Sequence, residues 1–460
     1  MFPVSLLALL LNVTQPVSCA SADAFYRQLK LFGPPPLPRN PICTLIEGRD
    51  GRLYGTTARG GTNDAGTVFA VSKDGGTETV LHEFGVTPEA MGPRAGVLQA
   101  SDGALYGTLA SLSYRFGVVY FLETNGANYR VLHSFLGGSD GSHPAADLIE
   151  GADGMLYGTA SAGGSGQGGT VFKLRKDGAG YSNLHQFISS ESPQPLARLL
   201  QTADGKLYGT TAGDAIDHGS VFSMDTNGGS FTVMHHFAGN PDGASSTAPL
   251  IQCADGLLYG TTALGGPNNF GALFRLGLDG TGYTVFHSFG AEGTYPYVGL
   301  VEVTNGLLYG TTYAGGSGTV FAIHTDGSCY TIAHGFGGLR DDGDCPYGLL
   351  LARDGDLYGV TENGPGETEQ GTLFKVSTSE PPVTISAVNR GARALLLRFS
   401  GAAADHQYEI QATPSIAAPA DWHSVTSALP RIDGTFEFLD TTASNAPSIF
   451  YRTKVPEQGS

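Results

Sequence analysis

Six histidines recur at one place in a repeating pattern: His82, His133, His185, His235, His287 and His334, each two residues before a phenylalanine. Imidazoles can act as general bases or metal ligands. An even spacing along the chain, however, spreads them around whatever the repeat builds, so each is expected to be a structural hydrogen-bonding residue. Two acids outside the pattern, Asp217 and Glu362, could serve a glycosidase, where the separation of the two carboxyl groups decides the chemistry. Three more, Asp341, Asp342 and Asp344, share one loop, Arg340-Asp341-Asp342-Gly343-Asp344. Such a loop could hold Ca²⁺, which takes about six to eight oxygens, although the spacing of a full calcium loop is missing. No Ser/His/Asp set, HExxH, Walker loop or nucleotide fingerprint occurs, so no other cofactor is expected.

The elements that must position these residues are set by the stretch Leu53-Tyr54-Gly55-Thr56-Thr57 and its six near copies. Their tyrosines are Tyr54, Tyr106, Tyr157, Tyr208, Tyr259, Tyr309 and Tyr358, spaced by 52, 51, 51, 51, 50 and 49 residues. A fixed period near fifty marks a repeat architecture. Within one copy, Asp147–Ala152 reads as a strand, Asp153-Gly154 as a type I′ hairpin turn, and Met155–Ala160 as the second strand. After a Gly-rich loop, Gly169–Leu174 is the third strand, Asp177-Gly178 a second tight turn and Tyr181–Phe187 the fourth. The third strand carries an aromatic in every copy: Phe69, Tyr120, Phe172, Phe222, Phe274, Phe321 and Phe374. Four antiparallel strands repeated seven times predict an all-β fold, a seven-bladed β-propeller over residues 25–377. The seventh copy lacks a fourth strand, and residues 25–32 match the missing piece with Lys30 in place of His. Pairing of this segment with 371–376 is expected to close the ring and remove two open sheet edges.

Composition narrows the partners. A formal net charge of −17 over 460 residues gives no footprint for nucleic acid or an anionic membrane surface. The 68 glycines sit at fixed repeat positions, as turn chemistry rather than low complexity. Residues 1–20 read as a secretory signal: Phe2–Val13 is apolar but too short to span a bilayer, and Ser18-Cys19-Ala20 is a small-residue cleavage site. No later segment could span a membrane. Cys43, Cys253, Cys329 and Cys345 allow three pairings, or none. Residues 378–382 form a proline-containing linker, and 383–455 contain about six strand-like runs, predicting a small immunoglobulin- or fibronectin-like sandwich with Trp422 in its core.

The Asp-Gly-x-Leu-Tyr-Gly-Thr-Thr, Gly-Gly, Gly-Thr-Val-Phe and Leu-His-x-Phe blocks over about residues 43–376 resemble the GloVer tandem-repeat family, secreted bacterial proteins of the "choice-of-anchor" kind. The resemblance implies an extracellular or cell-surface location and a repeat architecture; it carries no established activity. The Gly-Gly pairs, such as Gly60-Gly61 and Gly163-Gly164, are more loosely similar to kelch-type propellers, without the repeated Trp.

In a propeller whose fourth strands are outermost, the blade-to-blade loops share one face with the loops joining strands two and three, and the tight turns lie on the other. A site must break the repeat symmetry on the loop face. The distinctive residues there are Arg59, Tyr114, Arg115, His143, Asp217, His218, Asn268, Tyr313 and Glu362. Aromatic, Arg and carboxylate groups around a shallow mouth suit a glycan or a protein ligand. The sequence thus predicts a monomeric, exported, non-enzymatic binding or scaffold protein, with a polysaccharide hydrolase or lyase and a structural envelope component as the rival readings.

Overall fold

The computed structural model describes residues 25–85, 92–110, 116–214, 217–291, 293–304, 306–337, 342–365 and 370–377, together with strands between 384 and 454. The signal segment and Trp422 lie outside the described residues.

Seven antiparallel sheets follow one another along the chain: blades 1 to 6 over residues 46–83, 97–134, 149–186, 200–236, 251–288 and 301–335, and blade 7 over 344–377. Blade 3 shows the plan. Strands a to d are Ile149–Glu150, Leu156–Ala160, Thr170–Leu174 and Ser182–Gln186, paired in that order. Strand b is buried along its whole length because neighbouring blades cover both of its faces. Its Gly158 lies opposite Phe172 of strand c, and a Cβ there would sit 2.5 Å from the Phe172 ring. Only glycine leaves room for that phenyl group.

The turn between strands a and b is not the expected type I′. Gly154 donates its N–H to the Gly151 carbonyl and has φ of 76°, while Asp153 is absent from the residues of positive φ. This is a type I turn closed by a left-handed glycine, the three-residue hairpin loop. With Asp at the right-handed position, its carboxylate accepts the Met155 N–H at 3.1 Å and the Tyr157 hydroxyl at 2.8 Å. The same Tyr–Asp bond recurs at Tyr54–Asp50, Tyr106–Asp102, Tyr208–Asp204, Tyr259–Asp255 and Tyr358–Asp354, between 2.6 and 3.0 Å. In six of the seven blades the repeated tyrosine is therefore a buried interblade residue whose one polar atom is held by the turn four residues earlier. Burial, and then Asp50, push the Tyr54 hydroxyl up to about 12.

The histidines hold the rim. Each lies flat on an aromatic ring of the next blade, with centroids 3.5 to 4.2 Å apart: His82–Tyr129, His133–Tyr181, His185–Phe231, His235–Tyr283, His287–Tyr330 and His334–Tyr26. Four also meet an acid from the following loop: Asp140, Glu191, Asp242 and Asp342 lie 2.9 to 3.2 Å from His133, His185, His235 and His334. The structural reading of the histidines is the one observed.

Tyr26 belongs to strand Phe25–Leu31, which pairs antiparallel with Thr372–Ser377 and supplies blade 7 with its outer strand. The ring is thus closed by the N-terminal segment. At this seam both partners of the stack are exchanged. Lys30 stands where the other blades have His, and Glu78 where they have Tyr or Phe, and the two form an ion pair at 3.1 Å.

Cys43, Cys253 and Cys345 are free and Cys329 is disulfide-bonded, so none of the three pairings among the four cysteines forms. Beyond the ring, Thr384–Arg390, Leu395–Ser400 and Phe436–Asp440 make one three-stranded antiparallel sheet, and Tyr408–Thr413, His423–Ala428 and Phe450–Lys454 another. Among the described residues no helix is long and apolar enough to cross a membrane.

Candidate functional site

The segments leading into strand a of all seven blades converge on one cavity of about 140 Å³, the central channel. Its wall includes Cys43, Arg94, Asp147, Arg198, Thr247, Tyr297 and Tyr347, one from each blade in turn. Strand a is therefore innermost and strand d outermost. It follows from the strand order that the blade-to-blade and b–c loops share a face, as expected.

A repeated bracket builds that face. Asn40, His143, Gln194, Ser245, Tyr295 and Cys345 all adopt the left-handed conformation, with φ between 54° and 67°. Each donates its N–H to the b–c loop of the preceding blade, for example Tyr295 to the Phe270 carbonyl at 3.2 Å. Five of them also accept from the residue that follows or ends strand b of their own blade: Ala58, Ser161, Ala212, Ala263 and Tyr313. The backbone is fixed while the side chain changes from blade to blade.

At the strand-b position the repeat breaks in one sector. Blades 1 to 5 place Ala58, Ala110, Ser161, Ala212 and Ala263 there, whereas blades 6 and 7 place Tyr313 and Glu362. The Tyr313 hydroxyl donates to Glu362 at 2.7 Å. Around this pair, Tyr297 meets Tyr313 edge-on at 5.5 Å, Tyr313 meets Tyr347 edge-on at 6.2 Å, and Tyr295 lies parallel to Tyr297 at 5.8 Å. Tyr297 is 40% exposed; the other three are half-buried. Four aromatic rings and a carboxylate thus occupy one side of the channel mouth. Burial raises the pKa of the Tyr313 and Tyr347 hydroxyls, reinforced by Glu362 in both cases, so both stay protonated donors at neutral pH. Burial and Asp344 push the adjacent Cys345 thiol up to about 11, which leaves it a poor nucleophile.

The other side carries charge. Asp147 accepts the Gly96 N–H at 2.6 Å, and its pKa is raised because burial outweighs the nearby Arg198 and that hydrogen bond. It is enclosed by protein yet keeps some surface open to the channel. Arg94 and Arg198 are exposed on either side of it.

Of the residues singled out in the sequence, Tyr313 and Glu362 are brought together. Asp217 lies in blade 4 and spends its carboxylate on the Gly219 N–H at 2.9 Å, within its own loop. His218 is exposed and closely covers Gly239. Asn268 donates to the Phe289 carbonyl at 3.0 Å. His143 is a bracket residue whose ring meets Ser142 Oγ at 3.1 Å, and Arg59 is exposed near Asp64. Tyr114, Arg115 and Asp341 lie outside the described residues. The calcium reading of the Asp loop loses its other two ligands to the protein. Asp342 is buried and bonded to His334 and to the Gly337 N–H, repeating in blade 6 what Asp140, Glu191 and Asp242 do in blades 2 to 4. Asp344 accepts from the Asn363 amide at 2.7 Å. Among the described residues no cluster of His, Cys, Asp or Glu is arranged to hold a metal ion.

Arg94, Asp147, Arg198, Tyr297 and Tyr347 are the residues that a reading along the chain missed. For Asp147 and Arg198 the signal lay one place before the core residue of strand a, where the copies read Thr44, Gly96, Asp147, Arg198, Pro249, Gly299 and Gly348; Arg94 and Tyr297 stand three places before it and Tyr347 two.

Solved structures with similar folds share little sequence with the chain. A nidogen/laminin complex aligns with 12% identity and a TM-score of 0.38, over 60% of this chain and 89% of that one. A 6-phosphogluconolactonase from Bacteroides uniformis, itself assigned without certainty, aligns with 16% identity and a TM-score of 0.46, over 66% and 86%. An oligogalacturonate lyase in complex with manganese aligns with 11% identity and a TM-score of 0.48, over 78% and 92%. Likenesses this distant bear on neither activity nor ligand. No curated protein sequence matches the chain. A model of the Gloeobacter/Verrucomicrobia repeat matches residues 40–252 and 212–392, and the chain belongs to that repeat family.

Proposed function

We propose that this protein is an exported, non-enzymatic binding protein whose ligand is a glycan held at the channel mouth between blades 6 and 7. The observation that carries the reading is the cluster of Tyr295, Tyr297, Tyr313, Tyr347 and Glu362, in which Tyr313 and Glu362 stand where the five other blades put Ala or Ser. A sugar ring has apolar C–H faces and a polar edge of hydroxyls. Tyrosines offer the matching apolar face with a hydroxyl handle, on a rigid scaffold. The six left-handed bracket residues fix the surrounding loops, so little ordering entropy is lost on binding. In this reading the two C-terminal sheets pack as a sandwich that serves as spacer or second module, and residues 1–20 direct export.

The test is retention of the purified protein on a panel of insoluble polysaccharides, with supernatants assayed for released sugar. Retention without release, abolished in Tyr297→Ala, is the expected result. Released sugar would instead favour a hydrolase or lyase, for which Asp217 and Glu362 would be the acids to substitute. Failure to retain any polysaccharide, with capture of a protein ligand, would overturn the glycan assignment.

A further inference from the structure

Resting on that reading, we propose that the channel is an anion subsite, and that the ligand is a saccharide whose terminal ring carries one carboxylate, seated between Arg94 and Arg198 while the ring rests against Tyr297 and Tyr347. Four observations converge. First, Arg94, Asp147 and Arg198 come from the consecutive blades 2, 3 and 4 and line one cavity with Tyr297 and Tyr347 of blades 6 and 7. Secondly, neither guanidinium makes a side-chain hydrogen bond or ion pair among the described residues, and both are exposed to the channel. Elsewhere Lys30, Arg39, Arg52, Lys73, Lys176 and Lys375 each hold a carboxylate, and Arg49, Lys173 and Arg275 bond backbone carbonyls. Two arginines without a hydrogen-bonded acid in one cavity of a chain with net charge −17, Arg198 near Asp147, form a local positive site in an acidic surrounding. Thirdly, Asp147 already has a partner in the Gly96 N–H, and with two arginines about it the wall keeps a positive surplus. Fourthly, a cavity of about 140 Å³ is close to the space that holds one benzene ring in an engineered protein cavity, so it takes one six-membered ring rather than a threaded polymer.

The guanidinium fork matches a carboxylate in plane and spacing. The overall negative charge works in the other direction on a polyanion. Its field, felt within a screening length of about 8 Å of the surface at physiological salt, repels the charged units of a long acidic chain lying along that surface, while a single carboxylate inside the channel meets the arginines first. That combination selects an acidic end group over an acidic polymer.

The experiment is titration calorimetry on the full chain with a matched pair of probes, a disaccharide ending in glucuronate and the same disaccharide ending in glucose. The acidic probe is expected to bind about tenfold tighter or better, the effect of one charge-assisted hydrogen bond. Arg94→Gln and Arg198→Gln should each remove about tenfold of that affinity and leave the neutral probe unchanged, whereas Tyr297→Ala should weaken both. The arginines are exposed, so folding of the variants is checked by an unaltered melting temperature. Equal affinity for the two probes would overturn the anion subsite and leave the glycan reading standing. Binding of neither, with binding of an acidic peptide, would overturn both.

Discussion

Truncating Tyr26 to alanine tests whether the N-terminal strand closes the ring. The side chain is fully buried, lies flat on His334 at 3.6 Å, and meets Phe336 and Phe374 at 5.7 Å each. It therefore joins the closing strand both to blade 6 and to the core of blade 7. Removing a buried aromatic of this size costs about 3–5 kcal/mol, the aromatic contacts included. An unfolding entropy of about 2.1 cal/mol/K per residue over the roughly 350 residues of the ring gives about 0.7 kcal/mol/K. The melting temperature should then fall by about 4–7 °C. Leu31→Ala, at a side chain of the same strand that is 42% exposed, serves as the control and should move it by less than about 1 °C. The assay is calorimetric melting of the three proteins at one pH and scan rate. A Tyr26→Ala shift no larger than that of the control would refute the reasoning, because it would mean that the ring holds together without this strand.

At the seam, Lys30→His and Glu78→Tyr should each destabilise the protein, by about 1 kcal/mol or less for a partly exposed ion pair, and the double substitution should recover the loss by rebuilding the stack of the other blades; additive losses in a double-mutant cycle would count against it. Tyr259→Ala should cost about 3–5 kcal/mol, and a loss below about 1 kcal/mol in denaturant titration would place that side chain outside the core. Burial lowers the pKa of His133 and His185, with Asp140 and Glu191 only partly compensating. The unfolded chain then binds more protons than the folded one just below the ordinary histidine value of about 6.5, so stability falls as pH drops through that value and levels off below the folded pKa. Melting curves between pH 7 and 5 should show this slope, and His133→Gln should flatten it; an unchanged slope would assign the effect elsewhere.

The architecture was legible because repetition multiplies weak local signals: six Asp-Gly turns, one Asn-Gly turn and seven aromatic third strands say together what one copy could not. Lys30 stood out as the exception among the histidines, but its partner did not, since Glu78 looks like any surface acid until it is aligned with Tyr129 and Tyr181. The histidine–acid bonds were hidden for a similar reason. Their spacing along the chain runs from six residues at His185–Glu191 to eight at His334–Asp342, across loops of differing length. The Asp-Gly turn was misread because the dipeptide suits two loop geometries, and the choice fell to the Tyr hydroxyl that the carboxylate had to reach. Tyr313 and Glu362 could be found as departures from Ala. That Arg94, Asp147 and Arg198 share one wall could not be read, because about fifty residues separate each from the next and only the closed ring sets them side by side.

The left-handed bracket residues carry a consequence for how such a protein changes over time. A non-glycine residue held in that conformation costs about 1 kcal/mol, least for Asn. Asn40 bears the cost easily; Gln194, Tyr295 and Cys345 do not, and glycine at any of them would stabilise the fold. Retaining a bulky side chain there is a sacrifice of stability that only the exposed face can repay. Because the backbone bonds of each bracket are indifferent to residue type, these positions can be rewritten one at a time without disturbing the ring. Asn, His, Gln, Ser, Tyr and Cys at 40, 143, 194, 245, 295 and 345 thus show six different side chains carried on one repeated backbone geometry.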